Sequence, residues 1–219
     1  MKNKQKYLTQ GSFALLFFVI LGYVIKFYPN DLSQLDVDFQ AWLRGDLPDR
    51  LNDFYRTVTV LGNTPIIMSY TALIAATFYY IRKWRAEGIM LFGNLLVMGV
   101  ASTLLKLVYN RERPSLEYLI ADPIGASFPS WHAASTMVVA LSLCVVLEQR
   151  ICSNQFVKRL MQLLLIVLAA VVGISRLYLG VHYPSDVIAG WLLAVAIVSI
   201  VYPFYDQKRF EWRFQSKQK

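Results

Sequence analysis

The sequence contains only two histidines, His132 and His182, and polar residues that suit chemistry on an anion surround both. His182 and Asp186 are four residues apart, about one helical turn, so the carboxylate can hold an imidazole nitrogen and stabilise the imidazolium. Arg176 precedes this pair and can clamp an anion. The alternatives are an ordinary polar turn between two apolar runs, or an Asp186 that only complements the dipole of the next helix.

The other histidine, His132, is the last residue of a polar segment, Ser127–His132, that directly precedes another apolar run. Ser130 is placed to cap the helix that follows, and the first-turn N–H groups of such a helix can point at an anion. His132 would lie in this first turn. A structural interpretation, with a simple cap and an interfacial histidine, stays open for this segment alone.

A third polar segment supplies further cations. Lys106 and Arg113 are seven residues apart, about two helical turns, so both can face one point where a helix ends. Pro114 disfavours helical geometry at Arg113 and turns the chain away. Snorkelling or binding to lipid headgroups is the alternative for these cations. For Arg111, headgroup binding is the interpretation that we favour.

The composition is that of a membrane protein. Of the 219 residues, 56% are hydrophobic and 16% are charged, whereas roughly 25% are charged in soluble domains. The mean hydropathy is +0.43. The net charge of +8 does not indicate nucleic acid as a partner, because an inside-positive membrane protein accounts for it. Neither Cys144 nor Cys152 indicates a disulfide framework or a metal cluster.

Six apolar segments predict six transmembrane helices that connect into one all-α, polytopic domain spanning residues 1–219. The predicted spans are Phe13–Tyr28, Pro65–Ile81, Ile89–Val108, Trp131–Leu147, Leu160–Ile174 and Val187–Tyr205. Their lengths suit a hydrocarbon core of roughly 30 Å. No small-x-small cleavage site follows the first span, so we expect it to be retained rather than removed as a signal peptide.

A short amphipathic helix is predicted between the first two spans, lying at the membrane interface. Its apolar positions recur at helical spacing: Leu32, Leu35, Phe39, Trp42 and Leu43. Asn63 or Thr64, followed by Pro65, predicts the start of the second span. Gly180 and Pro184 have structural roles in this interpretation, since Gly180 permits a turn and Pro184 begins the sixth span.

The charge distribution predicts the orientation. Six spans place both termini on one side, and most of the 22 Lys and Arg residues lie in the segments on that side. Only four acidic residues share those segments: Glu87, Glu148, Asp206 and Glu211. By the positive-inside rule we expect cytoplasmic termini in a plasma-membrane protein. The three polar segments then all face outward, on the same side.

Together these segments provide the groups that phosphoryl transfer requires. Cations and helix N–H groups stabilise the negative charge on the equatorial oxygens of the phosphoryl group. The reaction also needs an in-line nucleophile and an acid for the leaving oxygen. The candidate anion-binding residues are Lys106, Arg113, Ser130 and Arg176, and the candidate acid, base or nucleophile residues are His132, His182 and Asp186. Residue chemistry alone does not say which histidine attacks, although the spacing of Asp186 favours His182.

Over residues 106–186 the sequence resembles the type 2 phosphatidic acid phosphatase superfamily. The resemblance rests on Lys106-x6-Arg113-Pro114, on Pro129-Ser130-Trp131-His132, and on Ser175-Arg176-x5-His182-x3-Asp186. The commonest family pattern has Gly where this sequence has Trp131. The backbone N–H survives this change, so we expect phosphate binding to persist and the indole to point towards lipid or a substrate tail.

The resemblance implies a role for each of these residues. It makes His182 the nucleophile that forms a phosphohistidine, with Asp186 to orient and activate it. It makes His132 the acid for the leaving oxygen and later the activator of water. The phosphate-holding residues that it implies are Lys106, Arg113, Ser130 and Arg176.

The predicted function is therefore a cofactor-independent and metal-independent phosphatase that acts on a lipid phosphate or diphosphate at the outer leaflet. Undecaprenyl diphosphate and phosphatidylglycerol phosphate are the favoured substrates, and phosphatidic acid is a further one. The expected partners are the lipid substrate and the bilayer, with no nucleic acid and no obligate protein. The alternatives are a lipid-headgroup binder or transporter without catalysis, and a zinc hydrolase using His132, His182 and Asp186 as ligands.

Overall fold

The computed structural model describes residues 4–45, 49–121, 123–150 and 154–215. Within these ranges the chain forms helices and no strand, which confirms the all-α prediction. The helices are α1 (Lys4–Phe27), α2 (Pro29–Arg44), α3 (Asp49–Thr59), α4 (Thr64–Ala76), α5 (Arg85–Tyr109), α6 (Trp131–Arg150), α7 (Gln155–Tyr178) and α8 (Pro184–Gln215). A 3₁₀ turn, Val60–Gly62, leads into α4, and a π-helical turn, Thr77–Ile81, continues it.

Six of these helices are long and apolar enough to cross a membrane, which confirms the predicted layout. They are α1, α4 with its π-helical turn, and α5 to α8. Most are longer than the predicted spans: the segment predicted as Leu160–Ile174 is Gln155–Tyr178, and α8 continues through Pro203 to Gln215. The apolar pattern marks only the part of a helix that suits hydrocarbon, whereas intrahelical hydrogen bonds extend the helix into its charged ends.

The amphipathic segment after α1 forms α2, as predicted, and a second helix, α3, follows it. The side of α2 that faces the bundle carries two buried polar residues, Asp36 and Gln40. They are one helical turn apart and so share a face. The apolar residues Leu35 and Trp42 are instead 67% and 73% exposed. Leu32 and Leu43 pack against the hydrophobic core. The helix therefore docks through these residues and through polar contacts, and it leaves Leu35 and Trp42 uncovered.

Helices α6 and α8 are the two most buried of the six spans, and they pack closely against each other. Gly190 of α8 allows this approach, because a Cβ there would lie 3.0 Å from the Ser130 carbonyl oxygen and 3.1 Å from the Ala134 nitrogen. Small residues generally permit such contacts between membrane helices. The backbone N–H of Ser130 donates to the carbonyl of Asp186 at 3.1 Å, so the start of α6 is fixed beside the start of α8.

The ends of α5 and α7 meet the starts of α6 and α8, and we call this region the polar end of the bundle. The segment between α5 and α6 is fastened there by backbone bonds, with Ser127 N–H donating to Arg111 O at 2.9 Å and Leu119 N–H to Leu179 O at 3.2 Å. The Phe128–Pro129 peptide bond is cis. Helices α2 and α3 pack against the end of α7. All three polar segments of the sequence therefore lie at one end of the bundle.

Candidate active site

His182 and Asp186 form a buried pair at the polar end. Gly180, with φ of +82°, turns the chain after α7 in a conformation that favours glycine, and Pro184 begins α8 as predicted. Nδ1 of His182 lies 3.3 Å from Oδ2 of Asp186. An ionised carboxylate only accepts hydrogen bonds, so this contact places the imidazole proton on Nδ1 and leaves the lone pair on Nε2.

Cations surround the free nitrogen of His182. Nη1 of Arg113 lies 3.4 Å from Nε2 of His182 and also donates to the Val181 carbonyl at 2.8 Å. Burial, followed by the positive charges of Arg176, Lys106 and Arg113, lowers the pKa of His182 well below its usual value. Burial also lowers the pKa of Arg113. The imidazole is therefore neutral near pH 7, with its lone pair beside a cluster of cations.

Other protein groups orient the remaining two cations. Nζ of Lys106 donates to the carbonyl of Ala126, directly before the second polar segment. Nη1 of Arg176 donates to Oγ1 of Thr59 at 2.8 Å, and its buried Nε has no hydrogen-bond partner among the described residues. These contacts bring Lys106 from α5 and Arg176 from α7 to the same histidine, although 70 residues of sequence separate them.

Ser130 lies directly before α6, as predicted, but it does not act as a side-chain cap. Its Oγ is buried and has no hydrogen-bond partner in the described part of the chain. The residue is anchored through its backbone instead, by the bond to Asp186. A buried hydroxyl without a partner is costly, so Oγ is available to an incoming acceptor such as a phosphate oxygen.

Residues of the α3–α4 connection contact His132, and they were not predicted from the sequence to belong to the site. Nε2 of His132 lies 2.9 Å from Oδ1 of Asn63. Asn63 precedes α4, as expected for a cap, yet its side chain makes no capping bond. Gly62 makes room for the ring, since a Cβ there would lie 2.6 Å from Cδ2 of His132. The Gly-Asn pair before Pro65 was the available sequence signal, and it indicated only a helix start.

The headgroup-binding interpretation of Arg111 is wrong, because this residue is an internal ion-pair partner. Its Nη1 donates to Oδ1 of Asp186 at 2.7 Å, and its Nη2 donates to Oδ2 of Asp36 at 2.8 Å. Its guanidinium also lies over the ring of Tyr183, 4.1 Å from the centroid. The side chain is 10% exposed. Two carboxylates in the interior compete successfully with solvent and headgroups for a cation that can reach both.

Helix α2 contributes a second contact to the same region through Gln40. Its Nε2 donates to the carbonyls of Leu177 at 3.0 Å and His182 at 3.1 Å. Neither Gln40 nor Asp36 was predicted from the sequence to belong to the site. The i, i+4 placement of these two polar residues on one face of an amphipathic helix was the signal that could have identified them.

Trp131, which stands where the commonest family pattern has Gly, is half-buried. The nearest atoms that a Cβ at Gly99 of α5 would meet are Cη2 and Cζ3 of its indole, both at 3.8 Å. The ring thus lies against α5. Its Nε1 is buried without a hydrogen-bond partner among the described residues.

The zinc alternative would require His132, His182 and Asp186 to converge on one ion. Among the residues that the structure describes, no group of three or more His, Cys, Asp or Glu side chains has the proximity needed to hold a metal ion. Nε2 of His182 faces the Arg113 guanidinium, and Nε2 of His132 faces Asn63. Positive charge beside the candidate ligands disfavours a divalent cation and favours an anion.

The family model of the PAP2 superfamily matches residues 87–210. Phosphatidylglycerophosphatase B of Bacillus subtilis is 30% identical over 165 residues, which cover 73% of this chain and 78% of the relative. Undecaprenyl-diphosphatase of Sulfolobus acidocaldarius is 29% identical over 185 residues, covering 82% and 83%.

Two crystal structures have the same fold. The transmembrane PAP2-type phosphatidylglycerolphosphate phosphatase of Bacillus subtilis superposes with a TM-score of 0.81 at 26% identity, covering 90% of this chain and 96% of that one. LpxE of Aquifex aeolicus superposes with a TM-score of 0.60 at 21% identity, covering 78% and 96%, and this likeness concerns the fold alone. The predicted family resemblance and reaction class are confirmed: the chain belongs to the PAP2 superfamily and is a multi-pass membrane phosphatase.

Proposed function

We propose that the protein hydrolyses a lipid phosphate monoester or diphosphate through a phosphohistidine on His182, without a metal or another cofactor. The observation that carries this proposal is the arrangement around His182. Asp186 holds Nδ1, and the lone pair on Nε2 is directed towards the Arg113 guanidinium, with Lys106 and Arg176 close by. A nucleophile among three cations suits a phosphoryl group, whose negative charge compensates theirs.

In the first step, Nε2 of His182 attacks phosphorus while the bond from phosphorus to the leaving oxygen breaks. Asp186 accepts the hydrogen bond from Nδ1–H of His182 and stabilises the positive charge that develops on the imidazole ring. His132 carries a second proton, on Nδ1, when the anionic substrate is bound, and it donates this proton to the leaving oxygen, so the lipid alcohol or lipid phosphate departs protonated. Lys106, Arg113, Arg176 and Oγ of Ser130 hold the phosphoryl oxygens, and these assignments are part of the proposal.

In the second step, His132 takes a proton from water, whose oxygen attacks phosphorus as the N–P bond breaks. Inorganic phosphate leaves, and His182 regains its lone pair. Asn63 accepts a hydrogen bond from Nε2 of His132 in the empty site. This contact occupies Nε2, so the proposal assigns the proton transfers to the other ring nitrogen, Nδ1.

The surroundings of the site support a substrate whose tail stays in the bilayer. Leu104, Leu107 and Val108 stand out from the last turns of α5, and each is more than half exposed. The uncovered apolar residues of α2 also lie at this end of the bundle. The named relatives act on phosphatidylglycerophosphate and undecaprenyl diphosphate. We favour these two lipids as substrates, with phosphatidic acid as a third.

The proposed orientation has cytoplasmic termini in the plasma membrane and an outward-facing site, which the distribution of Lys and Arg supports. A thiol introduced by Ile124→Cys would test it, because Ile124 at the polar end is 99% exposed. We expect a membrane-impermeant maleimide to label this thiol in intact cells, and to label Lys83→Cys only after lysis. The reverse pattern would contradict the orientation.

The test of function is phosphate release by the purified protein from phosphatidylglycerol phosphate, undecaprenyl diphosphate and phosphatidic acid, with and without chelator. We expect release from at least one lipid, undiminished by chelator, and its loss in His182→Ala. Lys208→Ala is a suitable control, since Lys208 is exposed on the distal part of α8. Full activity in folded His182→Ala would refute the mechanism.

The two alternatives give different results in the same assay. A zinc hydrolase would lose activity with chelator and regain it with zinc. A headgroup binder or transporter would release no phosphate from any lipid, and it would bind lipid equally well after His132→Ala.

A further inference from the structure

The carboxylate of Asp186 is held from two sides. Oδ2 faces Nδ1 of His182 and accepts the backbone N–H of Tyr183 at 3.0 Å. Oδ1 accepts Nη1 of Arg111 at 2.7 Å. Because the Asp186 side chain is 0% exposed, no solvent stands in for these donors. Arg111 is therefore the charged donor that balances the carboxylate on the side away from His182.

Arg111 is itself held by a second carboxylate, from the helix outside the bundle. Its Nη2 donates to Oδ2 of Asp36, and Oδ1 of Asp36 accepts the backbone N–H of Ser185 at 3.0 Å. The Ser185 hydroxyl donates to Asp36 as well. The chain Asp36–Arg111–Asp186–His182 thus joins α2, the segment after α5 and the first turn of α8. The planar guanidinium of Arg111 bridges the two carboxylates, a geometry that a Lys ammonium does not reproduce.

We infer that Arg111, with Asp36 as its second partner, is the positioning residue that fixes Asp186, and through it His182, for phosphoryl transfer. This inference rests on the proposed function of His182. The side-chain hydrogen bonds of Arg111 and Asp36 in the described part of the chain run to Asp186, to Ser185 and to each other, and not to the phosphate-holding cations. Removing either residue therefore acts on the orientation and the charge of the His182–Asp186 pair and leaves the phosphate-binding groups in place.

The charges of the two residues predict opposite effects on the pH profile. Loss of the Arg111 cation makes it easier to protonate Asp186 and His182, so the acid limb of kcat/KM moves to higher pH. Loss of the Asp36 anion leaves Arg111 paired with Asp186 alone, so the acid limb moves to lower pH. Nearby charges in proteins typically produce shifts of about one pH unit.

In each variant, every charged group around the pair except the substituted residue is unchanged and acts as a constant background. The titratable and charged groups that face His182 and Asp186 are Lys106 of α5, Arg111 and Arg113 of the following segment, His132 of α6, Arg176 of α7, Asp36 of α2 and Tyr183 before α8. Among them, Arg111 donates directly to the Asp186 carboxylate, and Asp36 is linked to Asp186 through Arg111.

The test measures kcat, KM and the pH profile of Arg111→Met, Arg111→Lys and Asp36→Asn, using the lipid that the wild-type protein hydrolyses fastest. For Arg111→Met we expect kcat to fall about 10²-fold, the effect of a misplacement near 1 Å, with KM within about threefold and the acid limb raised. Arg111→Lys keeps the charge, so we expect a lowered kcat and an unmoved acid limb. For Asp36→Asn we expect a lowered kcat and a lowered acid limb.

Two matched controls accompany these variants. Asp38→Asn makes the same change on an exposed residue of α2 whose hydrogen-bond partner is Gln34. Arg159→Met removes an exposed cation of α7. Both should retain the wild-type kcat and pH profile.

The outcomes separate the two proposals. Phosphate release by the wild-type protein, with acid limbs that do not move in opposite directions in Arg111→Met and Asp36→Asn, overturns the inference alone. No release from any lipid by the wild-type protein overturns the proposed function and the inference with it. If Arg111→Met does not fold, the near-isosteric Asp36→Asn decides, since a purely structural role predicts no downward shift of its acid limb.

Discussion

A methyl group at position 62 should displace His132 and slow the reaction. In Gly62→Ala the new Cβ would lie 2.6 Å from Cδ2 of His132 and 3.0 Å from its Cβ and Cγ. Ordinary carbon contacts are about 3.5 Å or longer, so the imidazole must move by about 0.9 Å. A displacement of this size at a reacting group costs about 10²-fold in rate, or about 2.7 kcal/mol of transition-state stabilisation.

The assay is phosphate release by purified Gly62→Ala at saturating lipid, together with its thermal melting profile. Because His132 is the proposed proton donor and not a phosphate-holding residue, we expect kcat to fall about 10²-fold and KM to change little. Gly93→Ala is the matched control, since a Cβ at Gly93 meets no heavy atom within 4 Å. It should keep wild-type activity.

A folded Gly62→Ala protein with kcat within twofold of wild type would refute the reasoning. If its melting temperature also fell, the backbone of the connection before α4 would have moved instead of the His132 imidazole. Overpacking of that kind typically costs about 1–3 kcal/mol of stability. The same kinetic result without a stability loss would mean that the position of His132 does not limit the reaction.

Two further predictions concern Ser130 and the pH profile. Ser130→Ala should lower kcat/KM about tenfold without loss of stability, because its Oγ makes no hydrogen bond to the described residues. In contrast, Ser142→Ala removes a bonded hydroxyl from α6 and should lower stability but not kcat/KM. Since burial and the neighbouring cations lower the pKa of His182, protonation should remove its lone pair only in acid. The acid limb of wild-type kcat/KM should then lie below pH 6.5, and a midpoint above that value would contradict the assignment.

Much of the architecture follows from the sequence, because it depends on local properties of the chain. Apolar runs long enough to cross a bilayer specify helices, since in hydrocarbon every backbone polar group must be bonded within its own segment. The six spans were predictable for that reason. Their ends were not, because a helix continues through charged residues once it is formed.

The His182–Asp186 pair was also predictable, because its members are four residues apart at the start of one helix. Lys106 and Arg113 were likewise identified from spacing at the end of α5. Local spacing was misleading for Ser130, whose position predicts a cap although its hydroxyl makes no such bond. Nothing local distinguishes a hydroxyl that caps a helix from one that is left for a ligand.

Only the tertiary structure decided how these residues are held. Arg111 looked like an interfacial cation, and its true partners, Asp36 and Asp186, are each 75 residues away in sequence. Asn63 reaches His132 across 69 residues. Such contacts depend on how each helix is rotated and where the outer helix docks, which the whole bundle determines through packing. The sequence by itself therefore determined which groups could do the chemistry, and packing determined which neighbours orient them.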